Sequence, residues 1–142
     1  MRLPIRLKSW WRLAVARKTL GQRGEAAAVR YLKRKGYKIV ERSSHIRRGE
    51  IDLVAVDGRT IVFVEVKTRR SHDTGHPAEA VDRNKQDRLS RLALVYLKRH
   101  GLLEHSARFD VVAVTWPRDQ RRPTIQHIQN AFEATGRWQM FG

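Results

Sequence analysis

Cysteine is absent from the 142-residue chain, which excludes disulfides and any metal site built on thiolates. The same absence fits a reducing compartment, and the expected location is cytoplasmic. Long apolar runs are missing too: no stretch approaches the ~20 residues that a membrane-spanning helix needs. Acidic residues are scarce, 14 Asp and Glu against 30 Lys and Arg, for a formal charge of +16. An excess of that size does not bear on the fold. It points to a polyanionic partner, nucleic acid in the first place, held through its phosphates. Anionic membrane surfaces share the charge argument. The length suits one domain with a real core.

Against this scarcity, the acids that interrupt apolar runs stand out. From Gly49 to Lys67 two β-branched runs are joined around Asp57-Gly58, a strong hairpin signal. Asp52, Glu65 and Lys67 break runs that otherwise read as buried. Side chains alternate along a strand, so Ile61, Phe63, Glu65 and Lys67 share one face and Val62, Val64 and Val66 the other. An even-length turn brings Asp52 to the face of Glu65 and Lys67. A four-residue loop sets Asp52 directly opposite Glu65, with Cβ atoms ~5 Å apart. Like charges facing each other are destabilising, so a purely structural sheet should avoid this pair. A divalent cation between them removes the objection.

The flanking segments complete a mixed α/β pattern. Residues 1–20 read as a basic amphipathic extension in which Leu7, Trp10, Trp11, Ala14 and Val15 fall at helical spacing. Arg12 interrupts its apolar segment and no small-residue cleavage site follows, so a signal peptide is not expected. Residues 21–142 form the expected single domain. Gln22 to Lys35 is helical in pattern, with Ala28, Val29 and Leu32 as its stripe and Gly36 as its stop. Glu25 lies on that inward stripe, either a carboxylate favoured by the helix dipole or one aimed at the acidic hairpin. Tyr37 to Arg42 reads as a strand and Ser43 to Arg48 as a polar, basic loop, with Arg47 and Arg48 well placed for phosphates. After Thr68-Arg69-Arg70 comes a loop with Gly75 and Pro77, where His72 and His76 are better read as loop residues than as a metal pair. Asp82 or Asn84 caps a second helix running to His100. Leu89, Leu92, Ala93, Tyr96 and Leu97 make its stripe, and Lys85, with Gln86, can reach the acidic site or simply snorkel. Arg108 to Thr115 is a further strand, stopped by Trp116-Pro117, and Thr124 to Ile128 a short last one. Asp110 reads as a strand-edge or loop-anchoring residue. Ala131, Phe132, Trp138 and Phe141 suggest a segment that packs back. The order α-β-β-β-α-β-β makes a mixed central sheet flanked by helices.

Asp52 and Glu65 form the kind of pair that holds Mg²⁺ or Mn²⁺ together with substrate phosphate and water. The backbone carbonyl of Val66 is a candidate third oxygen. Lys67, roughly 6.6 Å beyond Glu65 along the strand, can orient the attacking water and offset charge growing on a phosphate. Together these parts make a phosphodiesterase centre. The arrangement resembles the PD-(D/E)xK nuclease superfamily: Glu65-Val66-Lys67 matches the ExK half and Ile51-Asp52 the PD half, with Ile in place of proline. More closely, Gly49–Ala55 and Val62–Arg69 resemble the bacterial YraN family, itself similar to archaeal Holliday-junction resolvases. Gly24-Glu25, Tyr31-Leu32, Gly36-Tyr37, Lys85, Arg88-Leu89 and Phe109–Val112 fit the same resemblance, which covers about Gly21 to Phe132.

The resemblance implies a restriction-endonuclease-like core and a metal-dependent endonuclease acting on DNA, branched or repair intermediates included. It implies that Glu25 joins Asp52, Glu65 and Val66 at the metal. Relatives of the resolvase type act as dimers, so a homodimer is implied here as well. Arg47, Arg48, Arg69, Arg70, Lys85 and Gln86 are the expected nucleic-acid contacts. In one respect the chain departs from the pattern: relatives carry Asn, an aromatic and Arg before Gly-Glu-Ile-Asp, where this chain has Ser43-Ser44-His45. The alternative reading is a nucleic-acid-binding protein that keeps the fold and not the reaction. A membrane-surface or assembly protein led by Trp10-Trp11 is a third.

Overall fold

Apolar periodicity places the first helix start at Gln22, but the local chemistry starts it earlier. In a computed structural model, which describes residues 18–46, 49–73 and 75–136, helix α1 is Leu20–Arg34. Thr19 Oγ1 accepts from the Gln22 N–H at 3.1 Å, and Gln22 Oε1 accepts from the Thr19 N–H at 3.0 Å. This reciprocal capping box satisfies two amide hydrogens that a helix end leaves free. Strands β1 (Lys38–Ile46), β2 (Gly49–Asp57) and β3 (Thr60–Arg69) follow. A single 3₁₀ turn, Pro77–Ala80, precedes α2 (Arg83–Arg99), whose N-cap Asp82 accepts from the Lys85 N–H at 2.8 Å. Strands β4 (Ala107–Thr115) and β5 (Thr124–Phe132) close the order.

The five strands lie in one mixed sheet, β1-β2-β3-β4-β5. Only the β3–β4 pair is parallel, as the α2 crossover requires. The two faces carry separate apolar clusters. Val62, Val64, Val112 and Val114 pack with Ala28, Val29 and Leu32 of α1, while Ile61, Phe63, Phe109 and Val111 pack with Leu89, Leu92, Tyr96 and Leu97 of α2. The alternation read from the second run therefore holds. Each such side chain contributes about 1.5–3 kcal/mol when fully buried, so the sheet is held from both sides. This is the α/β architecture expected, a mixed sheet flanked by helices, consistent with a restriction-endonuclease-like core.

Three expectations need correction. The segment Ser43–Ile46, expected as loop, continues β1 and pairs with Gly49–Ile51. It is an edge strand, so polar residues cost little there, and a bulge at Val40 with Ser43 at φ +48° breaks the regular alternation. The last strand likewise runs to Phe132 rather than Ile128, so Ala131 and Phe132 belong to β5. Asp110 is not at a strand edge: it is fully buried in β4. Arg108 and His127 reach it at 3.0 and 2.8 Å, and it accepts from the Asn130 N–H at 3.0 Å. Arg108 also spans to Asp57 and to the Tyr37 hydroxyl. Burial works against the Asp110 charge, but the hydrogen bonds from His127 and Arg108 prevail and hold its carboxyl below the usual range. The basic extension, apart from Lys18 to Leu20, lies outside the described residues, as do Arg47, Arg48, Trp138 and Phe141.

Helix α1 meets β3 with no clearance at Gly24. A Cβ there would fall against Thr68 Oγ1, 2.7 Å from its Cγ2 and 2.8 Å from its Cβ. Gly24→Ala should destabilise the fold by about 1–3 kcal/mol through overpacking, less the ~1 kcal/mol that alanine gains in a helix. Denaturant titration should find the double variant Gly24→Ala/Thr68→Ala more stable than the two single effects add up to. A double variant whose stability equals the sum of the two single effects would refute the close packing.

Candidate active site

The hairpin sets the site. β2 and β3 pair from Asp57↔Thr60 to Leu53↔Val64, leaving Gly58-Arg59 as a two-residue loop. Gly58 sits at φ +61°, the first central position that a II′ hairpin loop reserves for glycine. The register is the one that a four-residue loop also gives, and its next rungs would join Asp52 with Glu65 and Ile51 with Val66. There the ladder stops. Leu53 and Ala55 pack on the α1 side, yet Ile51 packs on the α2 side and Gly49 lies against Leu92. The β1–β2 ribbon therefore twists away from β3 between Ile51 and Leu53, and Asp52 occupies the fork.

In the fork the Asp52 side chain replaces a backbone carbonyl. Its Oδ2 accepts from the Val66 N–H at 2.9 Å, where the lost rung would have supplied a main-chain acceptor. Glu65 is buried beside it. Burial first, and the Glu65 carboxylate second, push Asp52 up to about 7, against the Val66 N–H and Lys85, which both favour its charge. Lys85, one turn into α2, ion-pairs with Glu65 Oε1, so the helix stripe does deliver this lysine to the acids. Lys67 is exposed and has no ion pair among the described residues.

Asp52, Glu65, Val66 and Lys67 line a cleft of about 540 Å³ together with Glu25, Ser43, Glu50 and Thr68. Glu25 thus faces the same space, but it is drawn to β1: Arg42 Nε and Ser43 Oγ each lie 3.4 Å from its carboxylate. Among the described residues no group of three or more His, Asp or Glu converges tightly enough to hold a metal by itself. The donor set is two carboxylates and a main-chain carbonyl, and this suits Mg²⁺ or Mn²⁺ that keeps water and phosphate as its other partners.

Three more of the expected contacts, Gln86, Arg69 and Arg70, make hydrogen bonds within the protein. Gln86 Nε2 donates to the Val81 carbonyl at 3.0 Å and does not turn to the acids. Arg69 donates to Thr115 Oγ1 at 3.0 Å and to the Gly75 carbonyl at 2.7 Å, and Arg70 to the Trp116 carbonyl at 3.1 Å. Both arginines tie loops to the sheet end. His76 caps the 3₁₀ turn, accepting from the Ala78 N–H at 3.2 Å. Sequence reasoning passed over Ser43, whose hydroxyl reaches Glu25 across the cleft. The signal available was only the Ser-Ser-His departure before the Gly-Glu-Ile-Asp motif.

The raised Asp52 carboxyl has a consequence for stability. Between pH 3.8 and about 7 the folded chain keeps a proton that the unfolded chain releases, so stability falls as pH rises through that window. Asp52→Asn should remove this fall: more stable than the parent above about pH 7, with the advantage shrinking towards pH 3.8. Denaturant midpoints measured across the window check it, and an unchanged pH dependence would contradict the shift.

The wider comparisons agree with one another. The model of the family described as "Uncharacterised protein family UPF0102" matches residues 24–114. A UPF0102 protein of Rhodopirellula baltica is 55% identical over 120 residues, covering 82% of this chain and 72% of its own. Another, from Geobacter metallireducens, is 50% identical over 121 residues, 85% of this chain and 98% of its own. A third, from Moorella thermoacetica, is 48% identical over 120 residues, 84% of this chain and the whole of its own. The matched span holds β2, β3, α2, most of α1 and the fork, and on that ground the chain belongs to the UPF0102 family, the YraN family of the sequence resemblance.

Proposed function

We propose that this protein is a metal-dependent endonuclease hydrolysing phosphodiester bonds of DNA. The observation that carries the reading is the fork itself, where Asp52 and Glu65 line one cleft with Val66 and Lys67. Asp52, Glu65 and the Val66 carbonyl would hold the ion, with Glu25 across the cleft as a further oxygen ligand. A bound Mg²⁺ or Mn²⁺ polarises a phosphoryl oxygen and acidifies water. Lys67, exposed at the mouth of the cleft, offsets negative charge as it grows on the phosphorus oxygens. Water attacks phosphorus, a P–O ester bond breaks, the water's proton passes to solvent and the departing oxygen takes one up. The products are a phosphomonoester and a hydroxyl. The +16 charge brings a polyanion to this mouth. Arg47, Arg48, Arg69, Arg70 and Gln86 remain proposed contacts around it, Arg69 and Arg70 in the loop region that they anchor.

A second reading has its own support. The Lys85 ammonium already sits on Glu65, which is what a fold kept for binding alone would use to neutralise a buried acid. The two readings part on hydrolysis. Incubated with Mg²⁺ or Mn²⁺, the full chain should cut at least one member of a panel of duplex, single-stranded and branched DNA. Asp52→Asn and Glu65→Gln should abolish cutting while binding in EDTA survives, and Lys67→Ala should slow it by about 10²–10³-fold. If neither ion supports cutting of any DNA or RNA substrate, the hydrolytic reading is lost and the binding module stands. An independent readout is thermal unfolding. Mn²⁺ at about a hundred times its dissociation constant should stabilise the parent by about 2.7 kcal/mol and leave Asp52→Asn close to unchanged.

A further inference from the structure

We infer that the β4–β5 loop, Pro117–Pro123, is a grip for the duplex that flanks the reacting phosphate. This deepens the proposed function and rests on nucleic acid being the partner. β3 and β4 run parallel and end together at Arg69↔Thr115. The loop therefore leaves the sheet at the end where Lys67 and Thr68 open the cleft, and returns through Thr124, which pairs with Thr115. At about 3.3 Å per residue, its arginines stand about 10–20 Å from Lys67. That is roughly three to six base pairs along a duplex.

The loop is built to hold its shape. Trp116 is buried at its root, its N–H donates to the Arg69 carbonyl at 2.7 Å, and its indole N–H to the Gln120 carbonyl at 3.1 Å. Arg70 donates to the Trp116 carbonyl at 3.1 Å and the Arg23 guanidinium lies 4.2 Å from the indole ring centre. The Gln120 N–H closes a turn on the Pro117 carbonyl at 3.2 Å. These contacts fix the frame and leave Arg118, Arg121 and Arg122 exposed, with no ion pair among the described residues. Asp119 is the loop's one acid. Two cations in excess on a pinned loop beside the cleft are a phosphate-positioning device. Duplex is favoured over single strand because sequence-tolerant single-strand binding uses exposed aromatic rings, and no Phe, Tyr or Trp side chain among the described residues is exposed.

The test is the salt dependence of binding of a short labelled duplex to the full chain in EDTA, read by fluorescence anisotropy. Each phosphate contact contributes about 0.9 to the slope of log K against log salt. Arg118→Gln/Arg121→Gln/Arg122→Gln should lower that slope by about 2–3. A control removing three charges at the opposite end of the sheet, Lys33→Gln/Arg34→Gln/Lys38→Gln, should lower it by less than about 1. Equal slopes for the two variants, or a loop variant indistinguishable from the parent, overturn the grip. So does an equal loss on a single strand of the same sequence, because the assignment is to duplex. A slope that falls while no substrate is ever cut sinks the hydrolysis and leaves the grip; cutting with an unchanged slope does the reverse.

Discussion

One carboxylate does the work of a main-chain carbonyl, and the cleft depends on it. A sheet whose strands part must give each abandoned N–H another acceptor. Here Asp52 supplies it to Val66, so the Val66 amide is not stranded where β2 separates from β3. The same bond holds the Asp52 side chain in the plane between the strands, beside Glu65. Without it the β1–β2 ribbon would either stay zipped, closing the gap, or leave at the cost of an orphaned donor.

The arrangement concentrates unfavourable electrostatics in one place. Two acids in a half-buried gap repel each other, and Lys85 offsets that from the α2 side. Elsewhere the polar interior is balanced: among the described residues no buried side-chain nitrogen or oxygen lacks a partner. Two neighbouring acids facing one cleft set this pair apart from Asp110, whose carboxylate is met by Arg108 and His127.

Much of this was readable from residue order because it is local. Asp57-Gly58 gave the hairpin and its register, from which the Asp52–Glu65 encounter follows by counting. The apolar stripe of α2 carries Lys85 near its N-terminus, where it could snorkel or reach the acids, and it reaches Glu65. What could not be read was either polar and unpatterned or distant. β1 beyond Arg42 has no alternation, since an edge strand with a bulge and a left-handed serine is not constrained by burial on two sides. The twist between Ile51 and Leu53 breaks the very periodicity used to infer faces. The hydrogen bonds of Arg69 and Arg70 go to Thr115 and Trp116, some 46 positions away, which local pattern does not reveal.

The Asp110 cluster has a bearing on how such a chain can change over time. Arg108 joins Asp110, Asp57 and the Tyr37 hydroxyl, and His127 closes on Asp110 between the edges of two tyrosine rings. Losing Arg108 leaves the fully buried Asp110 short of its charged partner, a larger loss than replacing the whole group by apolar residues. Single substitutions there meet a barrier that joint substitutions avoid. Drift in this lineage should pass through these positions in concert or not at all, while the exposed loops vary one residue at a time.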